Sequence, residues 1–455
     1  MAKHELTRRA FLAAATTTAV AAWPRRVNAA KVVPRKISPN EKMNVAAIGA
    51  GGKGLGDMMN CKSENVVALC DADWARAAEA FYRLKGAKRF WDYRKMLEEM
   101  DAAVDACTVS TPDHMHAPAA HMAMKMGKHV YVQKPLTHTI KEAVLLTKTA
   151  REMGVATQMG NQGQAGDAVR TLCEMIWSGA IGKVTEVHIW TDRPGDIWKQ
   201  GIPEPPPGEP VRDKLNWELW IGPAEMRPYN GGYCPRAWRG WWDFGCGALG
   251  DMGCHNMNPV WRACKLGEAE TFTVETVRET GNNTHTGPVS SAIRYQFPAR
   301  GEMPPVTVTW YDGGLKPERP EGLPADAKLG AAEDPENGSL FVGEDGFLTC
   351  GCHGDGVRLV PDERMQGYKP PEPWLERIPN ESPYVDWMRA CKGGQPACSN
   401  FDYAGPLTEF VNMGNVALRA GRKVTYSLAS HSVVDDEAAN ALLTKTYRAG
   451  WKLPV

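Results

Sequence analysis

The sequence predicts an α/β protein in two parts. An N-terminal doubly wound parallel sheet covers residues 43–165, and a C-terminal α+β domain on a large, open, mostly antiparallel sheet covers 166–455. Three observations predict this. Apolar runs of strand length recur at 45–48, 66–70, 104–109, 129–132 and 155–159. Segments with apolar residues at helical spacing alternate with them, at about 53–61, 74–85, 93–100, 114–127 and 138–153. Beyond 165 the alternation ends, and longer strands appear at 184–190, 271–277, 290–297, 306–311 and 340–348. Alternation of strand and helix requires parallel strands with helices on both faces, since each crossover must pack back on the sheet. Further helices are expected at 166–179, 382–392, 404–421 and 435–447, with a short strand at 424–427.

Residues 1–30 stand apart from this fold. Thr7-Arg8-Arg9-Ala10-Phe11-Leu12 has the pattern of a twin-arginine signal, an apolar segment follows over 10–23, and Ala29 and Ala30 suit cleavage. The apolar part is too short for a stable membrane anchor. The expectation is a bacterial precursor carried by the twin-arginine export machinery to the periplasm or beyond; the alternative is an amphipathic tail. Residues 31–42 are polar and hold Pro34 and Pro39, as a linker arm or an arm packed over the body would.

Lys plus Arg and Asp plus Glu both number 53, so net charge is near zero, which argues against a nucleic-acid or membrane-surface partner. Cys70, Cys107 and Cys173 lie in apolar runs and read as core. Cys391 and Cys398 flank a short loop and suit a disulfide in an oxidising compartment. Cys350-Gly351-Cys352-His353 has no second Cys/His pair at zinc spacing, so these are read as strand-end cysteines and no metal is expected.

The chemistry begins at the first strand. Val45 to Ile48 runs into Gly49-Ala50-Gly51-Gly52-Lys53-Gly54, then a helix-length segment and a second apolar run that ends on Asp71, 22 residues after Gly49. Gly49, Gly51 and Gly54 fit the Rossmann fingerprint G-x-G-x-x-G, with Gly52 in the same turn. Gly49 permits the tight turn, Gly51 lets backbone approach a pyrophosphate, and Gly54 lets the helix pack on the strand. The helix N-terminus offers N–H groups to the phosphates. Asp71 would hold the ribose hydroxyls and repel a 2′-phosphate; no Arg immediately follows it, which favours NAD over NADP. The alternative is a bare βαβ unit.

Three further segments carry candidate residues. Thr111-Pro112-Asp113-His114-Met115-His116 follows the third strand run at the C-terminal edge of the sheet, where ligands bind in doubly wound folds. It also reads as a strand-to-helix turn capped by Asp113; the two His are not read as metal ligands. Gln133-Lys134-Pro135 follows the fourth run and points a lysine at the same crevice, against the alternative of a solvated Lys. Gly245 to His255 is a glycine-rich lead-in to a helix that puts Asp251 and His255 on one face, at i and i+4. A His beside a carboxylate is a ready general base; the alternative is a cap plus a core His. Nine of the sixteen tryptophans fall between 177 and 261, and Trp198, Trp217, Trp220, Trp238, Trp241 and Trp242 offer either sugar-stacking faces or core.

Together, Gly49-x-Gly51-x-x-Gly54, Thr111-Pro112-Asp113 with His116, Lys134-Pro135 and Asp251-x-x-x-His255 resemble the glucose–fructose oxidoreductase / inositol dehydrogenase (Gfo/Idh/MocA) family over about 43–265. The resemblance implies an NAD-dependent oxidoreductase acting on a secondary hydroxyl of a sugar, cyclitol or glycoside. Lys134, Asp251 and His255 would be its catalytic set; Gly49, Gly51, Gly52, Gly54, Asp71, Thr111, Pro112, His116 and Lys134 would bind the cofactor. His255 would take the hydroxyl proton, and Asp251 would orient His255 or hold a neighbouring hydroxyl. The family motif has Glu where this chain has Gln133. A homo-oligomer, dimer or tetramer, paired through the second sheet is also implied. Two alternatives stay open: an NAD-dependent glycoside hydrolase like those of family 109, which oxidise the sugar transiently, and a non-catalytic exported sugar-binding protein.

Overall fold

The computed structural model describes residues 33–455; the expected export signal and cleavage site lie outside them. The first sheet contains β1 (Asn44–Ile48), β2 (Asn65–Cys70), β3 (Lys88–Phe90), β4 (Ala106–Val109), β5 (His129–Val132) and β6 (Thr157–Met159), all parallel, in the order β3-β2-β1-β4-β5-β6. Its crossovers are α1 (Lys53–Asn60), α2 (Ala78–Arg83), α3 (Tyr93–Glu99), α4 (His116–Lys125) and α5 (Ile140–Met153). Strand order reverses at β1, between β2 and β4, and this opens a crevice at the strand C-termini. Alternate residues of β1 explain why the run is wholly apolar: Ala46 and Ile48 join the core on one face, Val45 and Ala47 that on the other. β3 is not legible as an apolar run, because only Phe90 of its three residues is buried.

The second sheet holds β7 (Val184–Trp190), β8 (Thr271–Thr280), β9 (Ser290–Phe297), β10 (Val306–Tyr311), β11 (Gly338–Gly343), β12 (Gly346–Gly351), β13 (Arg358–Val360), β14 (Val424–Ser427) and β15 (Ser432–Val433). The order is β13-β12-β11-β7-β10-β9-β8-β14-β15; β7 and β10 pair parallel and the other neighbours antiparallel. The single strand expected over 340–348 is instead the β11–β12 hairpin. Glu344 and Asp345 form a two-residue turn between Gly343 and Gly346, and Gly346 sits at φ +139°, which interrupts the apolar run.

The remaining helices are α6 (Asp167–Trp177), α7 (Trp217–Ile221), α8 (Gly247–Ala263), α9 (Pro383–Cys391), α10 (Phe401–Ala420) and α11 (Glu437–Ala441). The α10 helix joins the two halves, packing on α5 from the first sheet and on α8 and β8 from the second. Glycines make the α8–α10 approach close: a Cβ on Gly253 would meet Val411 Cγ1 at 2.8 Å. The helix expected over 435–447 ends at Ala441, and Lys445 and Tyr447 beyond it bind buried Glu142 at 2.8 Å each. The arm lies on the body, with Arg35 gripping Asp105 through Nε and Nη2 at 2.6 and 2.7 Å. Cys391 and Cys398 do not pair. Cys391 closes α9 inside the core that also holds Cys61 and Trp387, while the Cys398 N–H is tied to Asp386 at 2.7 Å.

Candidate active site

The turn after β1 is built to receive a dinucleotide. Gly49 and Gly52 have φ of +83° and +59°, which favour glycine. A Cβ on Gly49 would lie 2.7 Å from the Ser110 carbonyl oxygen, and one on Gly54 would run into the Gly49 carbonyl, so Gly54 brings α1 onto the strand as its spacing implied. No side chain caps α1, so its first N–H groups have no side-chain partner. Asp71 ends β2 and accepts the Gly51 and Asp73 N–H groups at 2.8 Å each. Burial pushes its pKa up to about 6, against those two donors.

A cavity runs from this turn across Asp71, Thr111, Pro112 and Lys134 to Trp220 and Trp238. Thr111 Oγ1 is buried there without a protein partner. The glycine cradle, the uncapped helix and this orphaned hydroxyl fit NAD. Arg76 was not singled out from sequence; its side chain lies over Gly51 and Gly52, where a pyrophosphate would gain a cation. Its distance of five residues from Asp71 hid it.

His116 does not line either cavity of the crevice. Its side chain is buried, with Nδ1 2.8 Å from the Pro135 carbonyl oxygen and Nε2 2.9 Å from that of Thr111. Burial pushes its pKa down to about 4, so the ring is neutral and donates to one of the two. This expected cofactor ligand is thus a brace between the Thr111 and Lys134-Pro135 turns. His114 is a similar brace, between the carbonyls of Phe244 and Trp220 at 3.2 and 3.1 Å.

A second cavity adjoins the first and shares Lys53, Arg76, Lys134 and Arg239 with it. Its other walls are Asp251, Met252 and His255 from α8, Arg193, Trp198 and Arg236 from the stretch before it, and Cys352, His353 and Asp355 after β12. Lys134 Nζ donates to Asp251 Oδ1 at 2.8 Å and to the Asp251 carbonyl at 2.7 Å; Arg239 Nε reaches the same Oδ1 at 2.8 Å. Burial would raise the Asp251 pKa, but the two cations outweigh it and hold the carboxyl well below the usual range.

This geometry corrects the role expected of Asp251. Its carboxylate orients Lys134, not His255, although both residues face one cavity at i and i+4. The His255 ring makes no hydrogen bond among the described residues, and its buried Nδ1 is unpartnered. Burial, then Lys134 and His353, drives its pKa well below 6.5 against Asp251, so it is a neutral imidazole able to accept a proton.

Gln133 has a physical reason. It donates to both oxygens of fully buried Asp57 at 3.0 and 3.2 Å, and Asp57 also takes the hydroxyls of Ser110 and Tyr384 at 2.6 Å each and pairs with Lys53. A Glu here would face a second buried carboxylate.

The tryptophans are mostly core. Trp217, Trp220, Trp238 and Trp241 cluster with Tyr229, Tyr233 and Phe244, while Trp198 borders the second cavity. That cluster straps the first sheet: Leu215 bridges Asp73, and the Trp74 N–H donates to the Lys214 carbonyl at 2.8 Å.

Comparison with known proteins agrees with this two-domain fold. Residues 43–161 match the NAD-binding Rossmann fold of the Gfo/Idh/MocA oxidoreductase family, and residues 165–298 and 372–453 match the C-terminal α/β domain of the same family. An alpha-N-acetylgalactosaminidase of Shewanella oneidensis is 28% identical over 207 residues, 40% of this chain and 45% of that protein. A levoglucosan dehydrogenase of Pseudarthrobacter phenanthrenivorans is 27% identical over 116 residues, 26% of this chain and 29% of that one. The matches span less than half the length of these curated relatives. Among solved structures, the WlbA dehydrogenase from Bordetella pertussis, in complex with NADH and UDP-GlcNAcA, shares the fold with a TM-score of 0.58 at 15% identity, over 84% of this chain and 98% of that one. The chain belongs to the Gfo/Idh/MocA oxidoreductase family, and its cofactor is NAD.

Proposed function

We propose that the protein oxidises a secondary hydroxyl of a sugar, cyclitol or glycoside. One observation carries the reading: Lys134 stands on the wall common to the dinucleotide cavity and the cavity that holds His255. A carbinol seated there meets a cation and a neutral base together. His255 takes the hydroxyl proton, and Lys134, held by Asp251, stabilises the negative charge that grows on the oxygen. Bound NAD supplies the hydride acceptor. Thr111, Pro112 and the glycine turn hold it, and the strap over residues 72–74 restrains its release, so the cofactor stays bound between turnovers and a second substrate recycles it.

The test is a panel of sugars, polyols and glycosides added to purified protein and read at nicotinamide absorbance. Reduction of a stoichiometric, co-purifying cofactor is expected; protein that carries no nucleotide and binds added NAD weakly contradicts the reading. The match to an alpha-N-acetylgalactosaminidase favours a second reading, NAD-dependent glycoside cleavage. Sustained aglycone release from a chromogenic glycoside, with no net change in bound NAD, distinguishes it. Export through the twin-arginine route is part of the proposal. Replacing Arg8 and Arg9 with Lys should hold the precursor in the cytoplasm, because the paired guanidinium groups are not mimicked by Lys; unchanged delivery to the periplasm contradicts it.

A further inference from the structure

The second cavity carries more positive charge than the proposed hydride transfer uses. Lys134 and Arg239 share one carboxylate, Asp251, and all three side chains are mostly buried. A further acid, Asp113, faces the adjoining cavity. Burial pushes its pKa up to about 7, against Arg239 and Lys134, so it is only part ionised near neutral pH. Arg239 Nε is on Asp251 at 2.8 Å and Nη1 reaches the Arg236 carbonyl at 3.4 Å, which leaves Nη2 without a partner among the described residues. The guanidinium lies over the Trp238 ring, 4.3 Å from its centroid, so that free edge is held in place. Arg236 lines the same cavity, three residues earlier, and its guanidinium makes no ion pair or hydrogen bond among the described residues. The other cations of the wall are occupied. Lys53 is paired with Asp57 and Arg193 with Asp192, and Arg76 lies over the glycine turn, where a pyrophosphate would sit. The remaining acids, Asp334 and Asp355, are exposed and already accept from Asn337 Nδ2 and the His353 N–H at 3.0 Å each. A mostly buried cluster with a cation in excess is costly unless a ligand brings an anion.

We propose that the substrate is an acidic sugar, a uronic acid or its glycoside, whose carboxylate binds Arg236 and Arg239 while a ring hydroxyl meets Lys134 and His255. This rests on the proposed oxidation and names its substrate class. Arg236 offers a whole guanidinium, whose planar fork matches a carboxylate in two parallel bonds, and Arg239 Nη2 adds a further donor. Lys134 spends two of its three donors on Asp251 and keeps one for the carbinol oxygen. Arg239 and Lys134 touch the same Asp251 oxygen. The two cations are therefore no more than two hydrogen-bond lengths apart, within the span of one pyranose ring. That places the carboxylate on the ring being oxidised and not on a distant aglycone. Arg236 and Arg239 are then specificity-determining residues, outside the path of the proton and the hydride.

The experiment uses the holoprotein with the methyl glycosides of glucuronic, galacturonic and mannuronic acids, each beside its neutral hexoside and that hexoside's 6-sulfate. Binding is read by calorimetry, apart from turnover. The best uronoside should bind roughly 10-fold or more tighter than its neutral counterpart, the scale of a charge-assisted hydrogen-bonded pair, and added salt should narrow the gap. Arg236→Gln should remove most of that preference, and Arg236→Lys should keep part of it, as a charge without the fork. Bound NAD at wild-type stoichiometry shows that both variants are folded. A neutral hexoside or a 6-sulfate bound as tightly as the best uronoside, or a preference undiminished in Arg236→Gln, overturns the assignment. Cofactor absorbance with the same sugars judges the oxidation separately. Uronoside binding without reduction by any sugar would remove that reading and leave the carboxylate site, and reduction by neutral hexosides with no preference for uronosides would do the reverse.

Discussion

The two halves of the crevice are built by different means. The cofactor half is largely backbone: a glycine turn, an uncapped helix and one acid, all between Gly49 and Asp71. The substrate half is side chains from distant segments, with Lys134, Arg239, Asp251, His255 and His353 brought together by α8 and the β12–β13 connection. A site made of local backbone needs particular glycines and fails when one gains a Cβ. A site made of converging side chains depends on charges that hold one another in place.

The sharpest break between the halves is Gly54→Val. Its side chain would run into the Gly49 carbonyl and push α1 off the strand. The purified variant should lack bound nucleotide, by absorbance and mass spectrometry; full occupancy would mean that the turn is not the cradle. Lys134→Met comes next. It keeps the cradle but removes the cation proposed to meet the developing charge, and single-turnover reduction should fall roughly 10²–10³-fold, with NAD still bound.

A pH test sharpens the cofactor half alone. In the expected role, ribose hydroxyls would donate to ionised Asp71, whose pKa without them stands at about 6. Below that value binding must release a proton, so the NAD dissociation constant should rise by up to about tenfold per pH unit as pH falls, and flatten above it. Calorimetry in buffers of different ionisation enthalpy counts the proton; no release at pH 5 contradicts the role of Asp71. The smallest effect is Gln133→Glu. A carboxylate beside buried Asp57 should cost about 1–3 kcal/mol of stability near neutral pH. Because the new acid's pKa would be raised, the penalty should shrink as pH falls through that raised value and protonates it. Thermal melts at pH 5 and 8 measure this, and equal penalties at both contradict it.

The same contrast explains what the sequence makes legible. The first sheet could be read strand by strand because buried parallel strands are mostly apolar, and only β3, with Phe90 alone buried, escaped. In the site, Gly49, Gly51, Gly54 and Asp71 stand at fixed spacing, so position alone marks them. Asp251 and His255 were paired by helical spacing, but the spacing is silent about Arg239, twelve residues earlier in an irregular stretch, which with Lys134 claims the carboxylate. His116 looked like a ligand for want of knowledge that two carbonyls enclose it. No local pattern announces His353, which meets His255 across 98 positions.

The most direct test of the division between the halves is His255→Ala, assayed on one preparation for bound NAD and for single-turnover reduction by a substrate found with wild type. The proposed base lies in the second cavity, so the nucleotide should remain at wild-type stoichiometry while its reduction slows roughly 10²–10⁴-fold, the range for a lost general base. Near-full reduction would move the base to another group in the cavity, and loss of the nucleotide would show that the two halves are not separate.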